Sequence, residues 1–128
     1  NMIWVALAGP AANLVQAFIW ACALIFLRGL DITEYFFLKM CEAGILVNLV
    51  MFAFNLFPLP PLDGGRIMVG LLPYRLAEPF SRIEPWGFYI VMGLVVSGIV
   101  ADWWMRPLMS YTLSSLNVLL TPLIWIFR

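Results

Sequence analysis

The sequence predicts an all-α, polytopic integral membrane protein, and three observations carry that prediction. Hydrophobic residues make up 64% of the 128 positions and charged residues only 11%, whereas a soluble domain is roughly half apolar and a quarter charged. A domain of this size buries only about two-thirds of its chain's surface, so a water-soluble fold would leave much of that apolar surface in water. The apolar residues also fall into runs of about twenty, the length that crosses about 30 Å of hydrocarbon. Residues 1–128 are therefore expected to form a single transmembrane domain. It should hold about four hydrophobic helices, a re-entrant Pro/Gly loop and an interfacial amphipathic segment.

The first run extends from Ile3 to Leu27 without a charge, interrupted near its start by Gly9-Pro10, and Arg28-Gly29-Leu30-Asp31 makes a short polar turn. A break of that kind is tolerated in a membrane where neighbouring helices satisfy the freed backbone groups. The second run opens near Phe36 and ends at Phe57. Lys39 and Glu42, three apart in its opening turns, can pair on one helix face. Beyond them only Asn48 and Asn55 are polar before Pro58-Leu59-Pro60-Pro61 excludes a continuing helix. Leu62-Asp63-Gly64-Gly65-Arg66 follows, with a short apolar run to Leu72.

Residues 73–86 differ in character. Pro73, Pro79 and Pro85 divide them, Tyr74 and Trp86 bracket them, and Leu76, Phe80 and Ile83 recur at helical spacing among Arg75, Glu78, Arg82 and Glu84. This amphipathic pattern with aromatic edges belongs in the headgroup layer. A third span is expected from about Gly87 to Met105, with Gly93 and Ser97 four apart as a small-residue face for close helix contact. Asp102-Trp103-Trp104-Met105-Arg106 would close it as an interfacial aromatic belt with an i,i+4 ion pair, and Pro107 would reset the chain. A fourth segment, Leu108 to Phe127, contains Ser110, Thr112, Ser114, Ser115 and Asn117, so one of its faces should pack on protein. In this arrangement Arg66, Arg75, Arg82 and Arg128 share one side, and Arg28, Lys39 and Arg106 the other. That excess leans the Asp63 loop toward the cytoplasm.

Charge and composition exclude other classes. The formal net charge is zero, with no clustered basic face of the kind that binds nucleic acid. Cys22 and Cys41 have no C-x-x-C spacing and read as small apolar core residues. The chain contains no histidine, and it begins at Asn1 inside a hydrophobic run. It therefore reads as a piece of a longer protein whose N-terminal part is missing.

Chemistry concentrates in Asn55-Leu56-Phe57-Pro58-Leu59-Pro60-Pro61-Leu62-Asp63-Gly64-Gly65. In one account these residues form a re-entrant turn, with Asp63 hydrogen-bonded to the adjacent glycine amides. In the other, cost decides. A carboxylate at bilayer depth is unfavourable by about 2.5–3.5 kcal/mol on insertion scales, so it faces a cavity and meets a partner. The chain offers it only Arg66. A divalent cation would offset the cost, and carboxylate oxygen is an ordinary zinc ligand. Gly64 and Gly65 would let the backbone pass close to such an ion. Asn55, at the end of the preceding helix, could donate to a polarised carbonyl oxygen, the stabilisation a tetrahedral intermediate needs. Asn48, two turns earlier on the same face, is expected to make an interhelical hydrogen bond.

This stretch resembles the N-x-x-P-x-P-x-L-D-G motif of the site-2 protease family of intramembrane zinc metalloproteases. Ala8-Gly9-Pro10-Ala11-Ala12-Asn13 is similar to the A-G-P-x-x-N element that precedes the motif in the family's short prokaryotic branch. The resemblance covers nearly the whole chain. It implies hydrolysis of peptide bonds in or near the membrane spans of substrate proteins, with zinc as cofactor, in a multi-pass protein of a prokaryotic plasma membrane. It implies Asp63 as the third zinc ligand and Asn55 as the residue holding the substrate carbonyl or oxyanion; Gly9, Pro10 and Asn13 match a structural element near the site. The family's H-E-x-x-H helix, which supplies two histidine ligands and a glutamate base, has no counterpart here. This chain alone is therefore expected to be inactive and to bind no zinc tightly. Two other readings stay open: an inactive relative that binds membrane partners, and a transporter subunit using Asp63 as an ion site. An H-E-x-x-H upstream would separate them from the protease.

Overall fold

The computed structural model describes residues 2–126, which form helices and connecting turns with no β-strand among them. In chain order these are α1 (Met2–Gly29), α2 (Tyr35–Asn55), α3 (Asp63–Leu71), α4 (Tyr74–Ser81), α5 (Glu84–Ser97), a π-helix (Val100–Met105) and α6 (Arg106–Ile126). The all-α membrane reading stands. Three helical stretches are long and apolar enough to cross a bilayer: Ile3–Gly29, Tyr35–Asn55 and Val100–Ile126.

α1 runs through Gly9-Pro10 without breaking. Proline removes one i→i−4 hydrogen bond, but the helix is apolar on both sides of it and the Pro10 ring is fully buried. The chain reverses through Asp31, whose φ of 58° is left-handed, a conformation aspartate adopts more readily than most residues. α2 then packs back along α1. At Gly44 a Cβ would lie 2.5 Å from the Trp20 indole, so the missing side chain is what admits that ring between the helices. Lys39 and Glu42 pair at 3.0 Å as their spacing predicts, and Arg28 reaches Glu42 from the end of α1 at 3.8 Å.

The expected third and fourth spans are drawn differently. α5 is 14 residues long, about 21 Å at 1.5 Å per residue, which is short of the hydrocarbon thickness. It ends at Gly98, left-handed at φ 84°, after an apolar run, the usual glycine stop. The chain does not reset at Pro107: the π-helix passes directly into α6, which holds Pro107 in its first turn. Asp102 and Arg106 pair at 3.2 Å as expected. Gly93 and Ser97 are exposed, and a Cβ on Gly93 would meet nothing within 4 Å. The small-residue face therefore makes no helix contact among the described residues.

α6 lies antiparallel to α2. At its approach the Trp104 indole N–H donates to the Ala53 carbonyl, at the far end of α2, over 2.8 Å. In mid-helix Leu116 joins Ala17 and Leu49 in a buried core flanked by Ile45 and Met109. Near its end Leu120 and Ile124 share a groove of about 510 Å³ with Leu24 and Arg28 of α1. The end of α6 thus lies on the side of the 30–34 turn, not beside the Asp63 loop as expected. Residues 127 and 128, and so Arg128, lie outside the described residues. One face of α6 packs on protein as expected, through Thr112, Leu116 and Leu120, but of the polar residues only Thr112 belongs to it; Ser110, Ser114, Ser115 and Asn117 are exposed. Thr112 satisfies its hydroxyl on the Leu108 carbonyl of its own helix at 2.7 Å.

Candidate functional site

The site grows from the end of α2. Pro58 bars the residue before it from helical geometry, so α2 stops at Asn55. The Leu56 amide still bonds the Phe52 carbonyl at 3.2 Å, whereas the Phe57 amide turns back to Phe54 at 3.1 Å. The Leu56–Leu62 segment then folds tightly, with Leu59 N–H on Phe57 O and Leu62 N–H on Leu59 O, and α3 begins at Asp63.

Three glycines close on this segment. A Cβ on Gly64 would lie 2.0 Å from the Leu56 carbonyl oxygen, one on Gly65 2.1 Å from the Pro60 nitrogen, and one on Gly87 1.7 Å from the Pro60 oxygen. These are backbone atoms that cannot swing aside. The glycines of the motif therefore let the first turn of α3 lie on the loop's own backbone, a different use from the open approach to an ion expected of them. Gly87 brings the start of α5 onto the same segment and belongs to neither motif.

Asp63 is half-buried at the first turn of α3. Its carboxylate points across to α1, where a Cβ on Gly9 would lie 3.0 Å from Oδ2. The two sequence motifs therefore meet at Gly9 and Asp63. Neither expected partner engages the carboxylate: no hydrogen bond from the Gly64 or Gly65 amides forms among the described residues, and Arg66 turns instead to Glu84 at 3.4 Å. Beside Gly9 an apolar hollow of about 440 Å³ lies between α1 and the end of α2, walled by Trp4, Ala8, Pro10, Ala11, Phe52 and Leu56.

Asn55 is half-buried at the opposite end of the loop, and its amide makes no hydrogen bond among the described residues. Since Gly64 rests on Leu56, the chain neighbours of Asp63 and Asn55 are in contact, and the two residues flank one corner. Asn13 lies one turn after Gly9 on the same face of α1. Asn48 does not bridge helices: its amide donates to the Gly44 carbonyl of its own helix at 2.7 Å. Buried, it shares the carbonyl one turn back in its own helix.

Set against what zinc requires, the donor set is incomplete. A catalytic zinc takes three protein ligands. The chain has no histidine, and among the described residues no group of three His, Cys, Asp or Glu converges. Among the described residues the site offers zinc one carboxylate, that of Asp63.

The residue that sequence reasoning missed is Trp104. Assigned with Trp103 to an interfacial belt, it turns inward, while Trp103 stays 79% exposed. Its ring meets Phe57 edge to face, with centroids 5.6 Å apart, besides the bond to Ala53.

The model of a family described as "Peptidase family M50" matches residues 31–98, a little over half of the chain. The chain is also similar to the "Putative zinc metalloprotease YwhC" of Bacillus subtilis (strain 168), with 35% identity over 116 residues, covering 87% of this chain and 49% of that relative. The chain thus spans about half the length of the curated relative it matches. No solved structure matches it.

Proposed function

The chain belongs to peptidase family M50, the site-2 protease family, and from that membership we propose that the whole protein is an intramembrane zinc metalloprotease of a prokaryotic plasma membrane. Its substrates are membrane proteins, or peptides from them, cut in or near their spans. Water adds across the peptide bond: hydroxyl goes to the carbonyl carbon and a proton to the leaving nitrogen. Asp63 supplies one ligand of the metal, and residues outside this chain complete the site.

The observation that carries this reading is the meeting of Asp63 with Gly9. A carboxylate without a partner among the described residues, half-buried between helices of a membrane protein, is unfavourable unless something else compensates it. Gly9 sets no side chain against that carboxylate, and an apolar hollow lies between α1 and the end of α2, as suits a stretch of substrate from a membrane span. Asn55 takes the second role. Its amide, at the other end of the same loop, donates to the carbonyl oxygen as charge develops there.

The test is the zinc content of the full-length protein, purified in detergent with and without Asp63→Ala. Loss of one direct ligand should weaken zinc about 10-fold or more, since even outer-shell losses cost about 10- to 100-fold. Cleavage of a membrane-span substrate in liposomes should fall with it. Unchanged zinc by elemental analysis would remove Asp63 from the metal site.

A further inference from the structure

We propose that Trp104 is a positioning residue for Asn55, fixing the end of α2 from both sides of that amide. The inference rests on the oxyanion reading of Asn55 given above. Two independent contacts carry it, and they bracket the residue: the indole N–H bonds the Ala53 carbonyl two positions before Asn55 at 2.8 Å, and the ring packs on Phe57 two positions after it.

The hydrogen-bond pattern explains why this donor is needed. In a continuing helix the Ala53 carbonyl would accept from the Phe57 amide. Here that amide bonds Phe54 and the Leu56 amide bonds Phe52, so the end of the helix passes Ala53 over. Ala53 is fully buried, and a buried carbonyl left unpaired is costly. Trp104 reaches it from 51 residues away. The π-helix makes this possible: its wider turn carries Trp104 inward while Trp103 faces out, and π turns of this sort recur at functional sites. An amide that is to meet an oxyanion must be held to about 0.5 Å by neighbours whose own rotamers are fixed. A single ring pinned by one hydrogen bond and one aromatic contact does this for the Ala53–Phe57 turn.

The experiment uses the full-length protein with its zinc. Trp104→Phe keeps a smaller ring against Phe57 and deletes the donor. It should lower kcat about 10-fold, as small misplacements of positioned groups do, with KM and zinc content unchanged. In an Asn55→Ala background the same substitution should lower kcat no further, because the group it positions is gone. Amide hydrogen exchange at Leu56 and Phe57 should quicken in Trp104→Phe. Should that variant not fold, Phe57→Leu removes the ring contact, keeps the donor, and should show the same pattern more weakly. Equal losses of kcat in both backgrounds, or unchanged kcat and unchanged exchange, overturn the proposal. If Asn55→Ala itself leaves kcat intact, the oxyanion reading has failed and takes the proposal with it, an outcome told apart by that single variant.

Discussion

Asn55 and Gly9 are the residues at which function and packing separate most cleanly. If Asn55 donates to the oxyanion, Asn55→Ala should lower turnover of the full-length protein about 10²- to 10³-fold, or about 2.7–4 kcal/mol. Zinc content and melting temperature should stay near the parent's. A lowered melting point with normal turnover in a liposome cleavage assay would make Asn55 a helix-ending residue only. Gly9→Ala should do the reverse of an ordinary destabilising change. Its methyl would sit 3.0 Å from Asp63 Oδ2, displacing the carboxylate by a few tenths of an ångström, while alanine favours the helix by up to about 1 kcal/mol. The variant should melt no lower than the parent yet hold zinc a few-fold more weakly, as a zinc titration would read. Asp63 and Asn55 stood out as candidates because their motif is local, eleven residues from Asn55 to Gly65 with prolines and glycines at fixed places. Trp104 was not, because a hydrogen bond across 51 residues leaves no local pattern. Asn48 was misread for a related reason: sequence marks a buried amide but not which of two carbonyls lies nearer.

Between elements, the glycine contacts decide how α3 and α5 seat on the motif loop. Gly87→Ala should destabilise the protein by about 1–3 kcal/mol, the usual range for overpacking, since the added methyl meets a backbone oxygen at 1.7 Å. Thermal unfolding in detergent checks this, with Gly93→Ala as the comparison: that methyl meets open space and should cost nothing. The ends of α1 and α2 fall within two residues of the sequence reading, because long apolar runs bounded by charge or proline leave little freedom. The junction of α5 and α6 was misplaced because Pro107 drew the break that Gly98 makes. The signal was present, a glycine directly after an apolar run. A proline in the first turn of a helix breaks nothing, and the π-helix before it accommodates the change of register.

For the molecule as a whole, three described stretches are long and apolar enough to cross a bilayer where four were expected, and the number that do cross decides which ends share a side. A cysteine introduced at Arg75 and one placed after Ile126 should be labelled from opposite faces of sealed vesicles by an impermeant maleimide. Labelling from the same face would restore a crossing α5. On the described residues, Arg66, Arg75, Arg82 and Arg106 stand toward the motif side against Arg28 and Lys39, an excess that would lean that side toward the cytoplasm. Residues 1–128 alone, solubilised in detergent, should bind no stoichiometric zinc, because one carboxylate cannot replace three ligands. Tight binding would mean that other residues complete a site; since Asp31 and Glu42 lie at the far end of α1 from Asp63, it would require a different arrangement of the helices. Composition made the membrane class plain, but not the number of crossings, which depends on where a 14-residue apolar helix lies rather than on how apolar it is. The closure of Gly87 on Pro60 has a last consequence, for substitutional tolerance. Every other amino acid carries a Cβ, so a saturation scan scored by folded yield should find Gly87 among the least replaceable positions of the chain, while Val96, nine residues along on the same helix and 83% exposed, accepts almost any apolar side chain.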